Sequence, residues 1–151
     1  MPLVAILFST LALLAGFLFP FQAAVNSQLG RGIGGPIAAT MVSFAVGFVF
    51  IAMVDILAFR QLPAFADLGK QPLSLLLCGG AIGAIYVSAT VFLTPRIGAG
   101  ALLCFVVAGQ LVGALVIDRF GLFGLAVREL SIGRLLGALF VLAGALMVRL
   151  A

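Results

Sequence analysis

Charge is what this sequence has least of. Only 8% of its 151 residues are Asp, Glu, Lys or Arg, while 65% are hydrophobic. A soluble domain carries roughly a quarter charged residues, so this chain could not cover a water-facing surface. Its mean hydropathy of +1.41 is that of an integral membrane protein. Histidine is absent, which removes imidazole metal sites and Ser-His or Cys-His catalysis. Tryptophan is absent as well, so no Trp belt marks the membrane interfaces. The two cysteines, Cys78 and Cys104, lie inside apolar runs, where a thiol behaves as a small hydrophobe. No span holds a pair of acids and no activated nucleophile is visible. The expectation is a protein that is not an enzyme and holds neither metal nor cofactor. The net charge of +4 comes from basic residues scattered singly. That is the usual pattern of a membrane protein and not a nucleic-acid patch.

What the sequence does have is long apolar runs. A spanning helix needs about 20 apolar residues and a short connection adds a few more. The chain therefore reads as all-α, a single transmembrane domain of five helices over 1–151. The predicted spans are 3–25, 37–59, 72–93, 99–117 and 132–148, and no stretch is left for a large soluble domain. No Lys or Arg precedes the first run, which is longer than a signal-peptide core. A retained helix is expected there, although Gln22-Ala23-Ala24 weakly resembles a cleavage site. Pro20 should kink or loosen the last turns of this span. The Gly30–Pro36 stretch reads as a turn, because four glycines and a proline disfavour a helix. It lacks the Lys-Ser/Thr pair of a phosphate loop. Thr94 to Gly98 reads as a second tight turn. The connection holding Arg60, Pro63, Asp67 and Lys70 joins spans two and three, and Pro72 suits a first helical turn. Asp118 to Ser131 is the longest polar connection. Within it, Phe120 to Val127 is too short to span and is expected at the interface or against the bundle.

An odd number of spans puts the termini on opposite faces. The N-terminal face then holds Arg60, Lys70, Arg119, Arg128 and Arg134, and the other holds Arg31, Arg96 and Arg149. Five against three favours a cytoplasmic N-terminus by the positive-inside rule. All four acids, Asp55, Asp67, Asp118 and Glu129, fall on the first face and weaken the bias. A chain with so little preference could insert both ways up.

Polar groups inside spans must face protein or a watery cavity. Gln22 and Asn26 share a helical face at i and i+4. They read either as ligand contacts or as a clamp for backbone groups freed by Pro20. Gln110, in the middle of span four, reads as an interhelical bond or a cavity wall. Tyr86, the one tyrosine, shares a face with Thr90. Ser88 and Thr90 can satisfy their hydroxyls on their own helix. Asp55 lies about one turn inside the end of span two, where it either snorkels to the interface or couples to an ion. Gly109 and Gly113, Gly133 and Gly137, and Ser43 and Gly47 are each four apart. Gly80 and Gly83 follow Gly79, and Gly144 extends the stripe of span five. Such spacing allows close helix approach, within the chain or between subunits.

Taken in order, several short patterns resemble a known family. They are Gln22-Ala-Ala-Val-Asn26 with Leu29-Gly30, Gly79-Gly80-Ala-Ile-Gly83-Ala-Ile-Tyr86-Val87, Pro95-Arg96-Ile-Gly98, Gly109-Gln110, Ile117-Asp118-Arg119-Phe120-Gly121 and Arg134-Leu-Leu-Gly137. Together they are similar to the YdcZ-type family of the drug/metabolite transporter superfamily, over nearly the whole chain. The resemblance implies a half-unit of ten-helix transporters, whose two five-helix halves form an inverted repeat. The first span holds no acid, so the cation/proton chemistry of small multidrug resistance proteins does not carry over. An inverted mate would come from an antiparallel homodimer or a paired homologous five-helix chain. Arg96 and Asp118, about 33 Å apart at opposite ends of span four at 1.5 Å rise per residue, would then meet on one membrane side as a gate or subunit contact.

The expected function is alternating-access transport of a small metabolite or drug-like solute across the inner membrane. Gln22, Asn26, Tyr86 and Gln110 are the candidate substrate contacts, and Asp55 is the candidate for ion coupling. Lipid is the surrounding partner. A passive channel and a non-transporting partner subunit are the rival readings.

Overall fold

The apolar runs become helices because a backbone in hydrocarbon must satisfy its own hydrogen bonds. A computed structural model describes residues 2–59 and 65–150. It contains α1 (Pro2–Ile33), α2 (Pro36–Val54), α3 (Phe65–Leu68), α4 (Leu73–Ile97), α5 (Ala99–Phe120) and α6 (Ile132–Leu150). One π-helical turn, Asp55–Phe59, continues α2, and a 3₁₀ turn, Leu122–Gly124, follows α5. Among the described residues five helices are long and apolar enough to cross a membrane. The expected Arg60 to Gln71 connection lies partly outside the described residues, Arg60 and Pro63 included.

Two expected turns are mostly helix. α1 runs unbroken through Pro20 and on to Ile33, so Gly30 and Gly32 are helical. Only Gly34 and Gly35 leave the helix. Gly34 takes φ +99, and the Gly35 N–H donates to Gly30 O at 2.7 Å. That bond closes a Schellman motif, in which a glycine beyond the cap accepts the left-handed conformation. Pro36 then opens α2 at a position where its missing N–H costs nothing. Gly30 is needed for the closeness of this turn, since a Cβ there would lie 3.1 Å from Gly35 O. Counting glycines overstates the turn, because helix cost is modest for glycine while capping is local.

The second corrected turn is Thr94 to Gly98. α4 continues through Pro95 to Ile97, and Gly98 alone separates it from α5. The Thr90 and Thr94 hydroxyls donate to Val87 O at 2.9 Å and Thr90 O at 2.6 Å. Both hydroxyls are thereby satisfied on their own helix in the turns before Pro95. Pro72 precedes α4, its carbonyl accepting from Leu75 N and Leu76 N.

Two compact units divide the chain, residues 1–95 and 96–151. The first contains α1 packed on α2, with side-chain ties from both to α4. The second is built on the α5–α6 hairpin. In it Gly121 closes α5 in the left-handed conformation, with φ 59. The connection then folds back: Arg128 N–H donates to Asp118 O at 2.8 Å, and Val127 lies against Gly121. Phe123, next in line, is 83% exposed and left-handed itself at φ 58. The Phe120 to Val127 segment therefore spans nothing and is pinned to the end of α5.

Candidate functional site

Three helix pairs in the first unit are each joined by a specific side-chain contact. Between α1 and α2, Asn26 Nδ2 donates to Ser43 Oγ at 3.1 Å, and Asn26 is only 6% exposed. Between α2 and α4, Ser88 Oγ donates to Thr40 Oγ1 at 3.1 Å, and Thr40 passes its own proton to Pro36 O at 2.9 Å. Between α1 and α4, the Phe19 and Tyr86 rings lie 5.6 Å apart at 31°. Buried polar groups in a spanning unit need such partners, since hydrocarbon supplies none.

The candidate residues separate accordingly. Asn26 and Tyr86 both belong to this three-helix unit. Asn26 bonds Ser43 of the neighbouring helix, where the sequence leaves open a ligand contact or a clamp on the backbone freed by Pro20. Gln22 is exposed on α1 and does not share the burial of Asn26 four residues on. Sequence reasoning misses Thr40 and Ser43 as polar ties. Their signal is present, as two hydroxyls three residues apart in an otherwise apolar span. Ser88 reaches another helix, where self-satisfaction is expected.

In the second unit Gln110 is exposed on α5. Asp118 Oδ2 lies 3.2 Å from Arg134 Nη1, with the two side chains 28% and 32% exposed. Nη1 is itself buried and makes no well-aligned hydrogen bond, so the approach is ionic and off-line. Asp118 thus has a cation from its own chain, and Arg96 is exposed in the last turn of α4. Asp55 opens the π-turn, and its Oδ2 is buried without a hydrogen-bond partner among the described residues.

Among the described residues no close neighbour stands against the glycine pairs of α5 and α6. A Cβ built at Gly109, Gly113 or Gly137 meets no described atom within 4 Å, and one at Gly133 only Ser131 Oγ at 4.0 Å. Gly83 differs, with the Phe44 ring 3.4 Å from where its Cβ would stand. Gly137 borders the space between α5 and α6, beside Leu111, Ala114 and Val141, while Gly109, Gly113 and Gly133 are exposed on their helices.

The sequence matches a family model described as "Putative inner membrane exporter, YdcZ" over residues 7–147. The chain belongs to the YdcZ family. It is 32% identical over 111 residues to the inner membrane protein YdcZ of Escherichia coli (strain K12), covering 73% of this chain and 72% of that one. No solved structure matches it.

Proposed function

We infer that this YdcZ-family chain exports a small organic solute across the inner membrane by alternating access, as one of two five-helix units set in opposite orientations. The observation that carries this reading is Gln22. It lies near the middle of the span Ile6–Ile33 and is exposed on that helix. An amide facing lipid at that depth is costly, whereas one facing a second unit across a solute cavity is at home. Sites of such transporters lie near the midplane between repeats. Gln22, Asn26, Tyr86 and Gln110 are the proposed solute contacts. Asp55, with an unpartnered buried oxygen at a π-turn, is the proposed ion-coupling group.

The open surfaces at Gly109 and Gly113 leave room for the backbone of a second copy. An antiparallel copy would set Arg96 of one chain on the same membrane side as Asp118 of the other, where it would compete with Arg134. Two measurements test the reading together. A topology reporter on the C-terminus should give signal on both sides of the membrane. Proteoliposomes should take up a member of a radiolabelled metabolite panel with saturation, and Gln22→Leu should reduce that uptake at least several-fold. Unsaturable flux would make the protein a channel, and no flux with any solute would make it a partner subunit.

A further inference from the structure

A groove between α2 and α4, open along a rim where Met41 and Ile85 are 69% and 71% exposed, has the volume and apolar lining of a ligand site. Its volume is about 610 Å³, and its walls include Met41 and Phe44 from α2 and Ile85 from α4. Thr40 and Ser88 also line it, from α2 and α4 respectively. Ligand pockets are mostly apolar, run to several hundred cubic ångströms and carry a few placed polar groups. No charged residue lines this one among the described residues.

The polar groups have a definite sense. Ser88 donates to Thr40, and Thr40 donates to Pro36 O. Both hydroxyl protons are therefore committed, and what remains on Ser88 Oγ is lone pairs. The pair offers acceptors and no donor. Gly83 lies beside the Phe44 ring, which an added Cβ would meet at 3.4 Å, an ordinary contact.

We propose that this groove binds an uncharged, largely apolar solute through one N–H or O–H donated to Ser88. It rests on the transport reading and adds a second site to it, since none of Gln22, Asn26, Tyr86 and Gln110 lines the groove; the solute it takes is neutral, with aromatic or aliphatic bulk and a single donor. An acyl chain of lipid would fit the walls but has nothing to give the hydroxyl.

The absence of tryptophan makes a clean test available. Met41→Trp places a lone fluorophore on the groove wall, and Ile85→Trp serves if that variant fails to fold. Purified protein in detergent is titrated with 4-bromophenol, a quencher with one O–H, and with 4-bromoanisole, its methylated counterpart. Quenching by 4-bromophenol should saturate, at a concentration about three- to tenfold below that for 4-bromoanisole, as one net hydrogen bond implies. Adding Ser88→Ala should erase the difference. Phe140→Trp, on exposed α6 surface, should be quenched by both compounds alike and without saturation. Equal quenching of the groove fluorophore by the two compounds, or a preference that survives Ser88→Ala, overturns the proposal and leaves the groove to lipid. Because binding is read without flux, the two readings fail separately. Saturable uptake with no preference at the groove fluorophore removes the groove alone, and a preference without uptake removes transport alone.

Discussion

The two units of the chain share one apolar composition and are tied by different means. In residues 1–95 the ties are neutral and lie within the spans: an amide to a hydroxyl, a hydroxyl to a hydroxyl, a ring to a ring. In residues 96–151 they lie at the helix ends: an Asp118–Arg134 ion pair, a left-handed glycine cap and a connection folded back on α5. Charge is tolerated near the interface, where water screens it. Neutral hydrogen bonding is what hydrocarbon depth allows. The first unit thus holds its polar ties within the spans, and the second leaves open helix faces around Gly109 and Gly113.

The largest expected effect breaks the second unit's closure. A Cβ at Gly121 would stand 2.7 Å from Val127 Cγ2 and 3.0 Å from Leu125 O. The residue also holds φ 59, and a left-handed conformation costs a non-glycine roughly 1–2 kcal/mol before any clash. Gly121→Ala should therefore lower the thermal midpoint of the purified protein by several degrees. Adding Val127→Ala should recover only part of the loss. Gly109→Ala, in open space on the same helix, should leave an isolated chain as stable as before. If Gly121→Ala melts like the parent, the end of α5 is not what holds this unit together.

A sharper comparison sets the two kinds of tie against each other. A double-mutant cycle on Asn26→Ala and Ser43→Ala should give a coupling of about 0.6 kcal/mol, the average for interhelical hydrogen bonds in a membrane, with a ceiling near about 1.7 kcal/mol. The cycle on Asp118→Asn and Arg134→Gln should give a similar or smaller value, about 0.2–1 kcal/mol, since both side chains are nearly a third exposed. Salt separates them. Raising ionic strength to about 1 M shrinks the Debye length to about 3 Å, so the ion-pair coupling should fall and the amide coupling should not. Equal salt dependence would mean that the units are not tied by different physics.

The same contrast explains what is legible in the sequence. Helix number and the approximate spans follow from apolar length alone, and the family's short motifs occur in a fairly specific order. Helix ends are harder. Gly30 and Pro95 look like breakers, yet α1 and α4 pass through them, because a cap is set by one left-handed residue and not by composition. Four of the six helices carry an arginine in the last turn, Arg31, Arg96, Arg119 and Arg149. A cation there complements the helix dipole. Basic residues placed by helix C-termini fall on both membrane faces, which accounts for the weak orientation signal. In the site, Asn26 is legible as an uncommon amide in a span, but its partner Ser43 is not. One hydroxyl among many cannot be paired without knowing which helix faces which.

The smallest effect belongs to the loop ion pair of the first unit. Lys70 Nζ lies 2.7 Å from Asp67 Oδ1, closer than the Asp118–Arg134 approach, yet the side chains are 71% and 68% exposed. Short distance and high exposure pull in opposite directions here, and exposure wins, because water screens the attraction and holding two long side chains costs entropy. Lys70→Ala should change stability by no more than about 0.5 kcal/mol, with no measurable coupling to Asp67→Ala. That is less than either cycle within the helix pairs. A loss as large as that of Asn26→Ala would reverse the comparison, since charge in a loop would then matter as much to the first unit as the neutral ties within its spans.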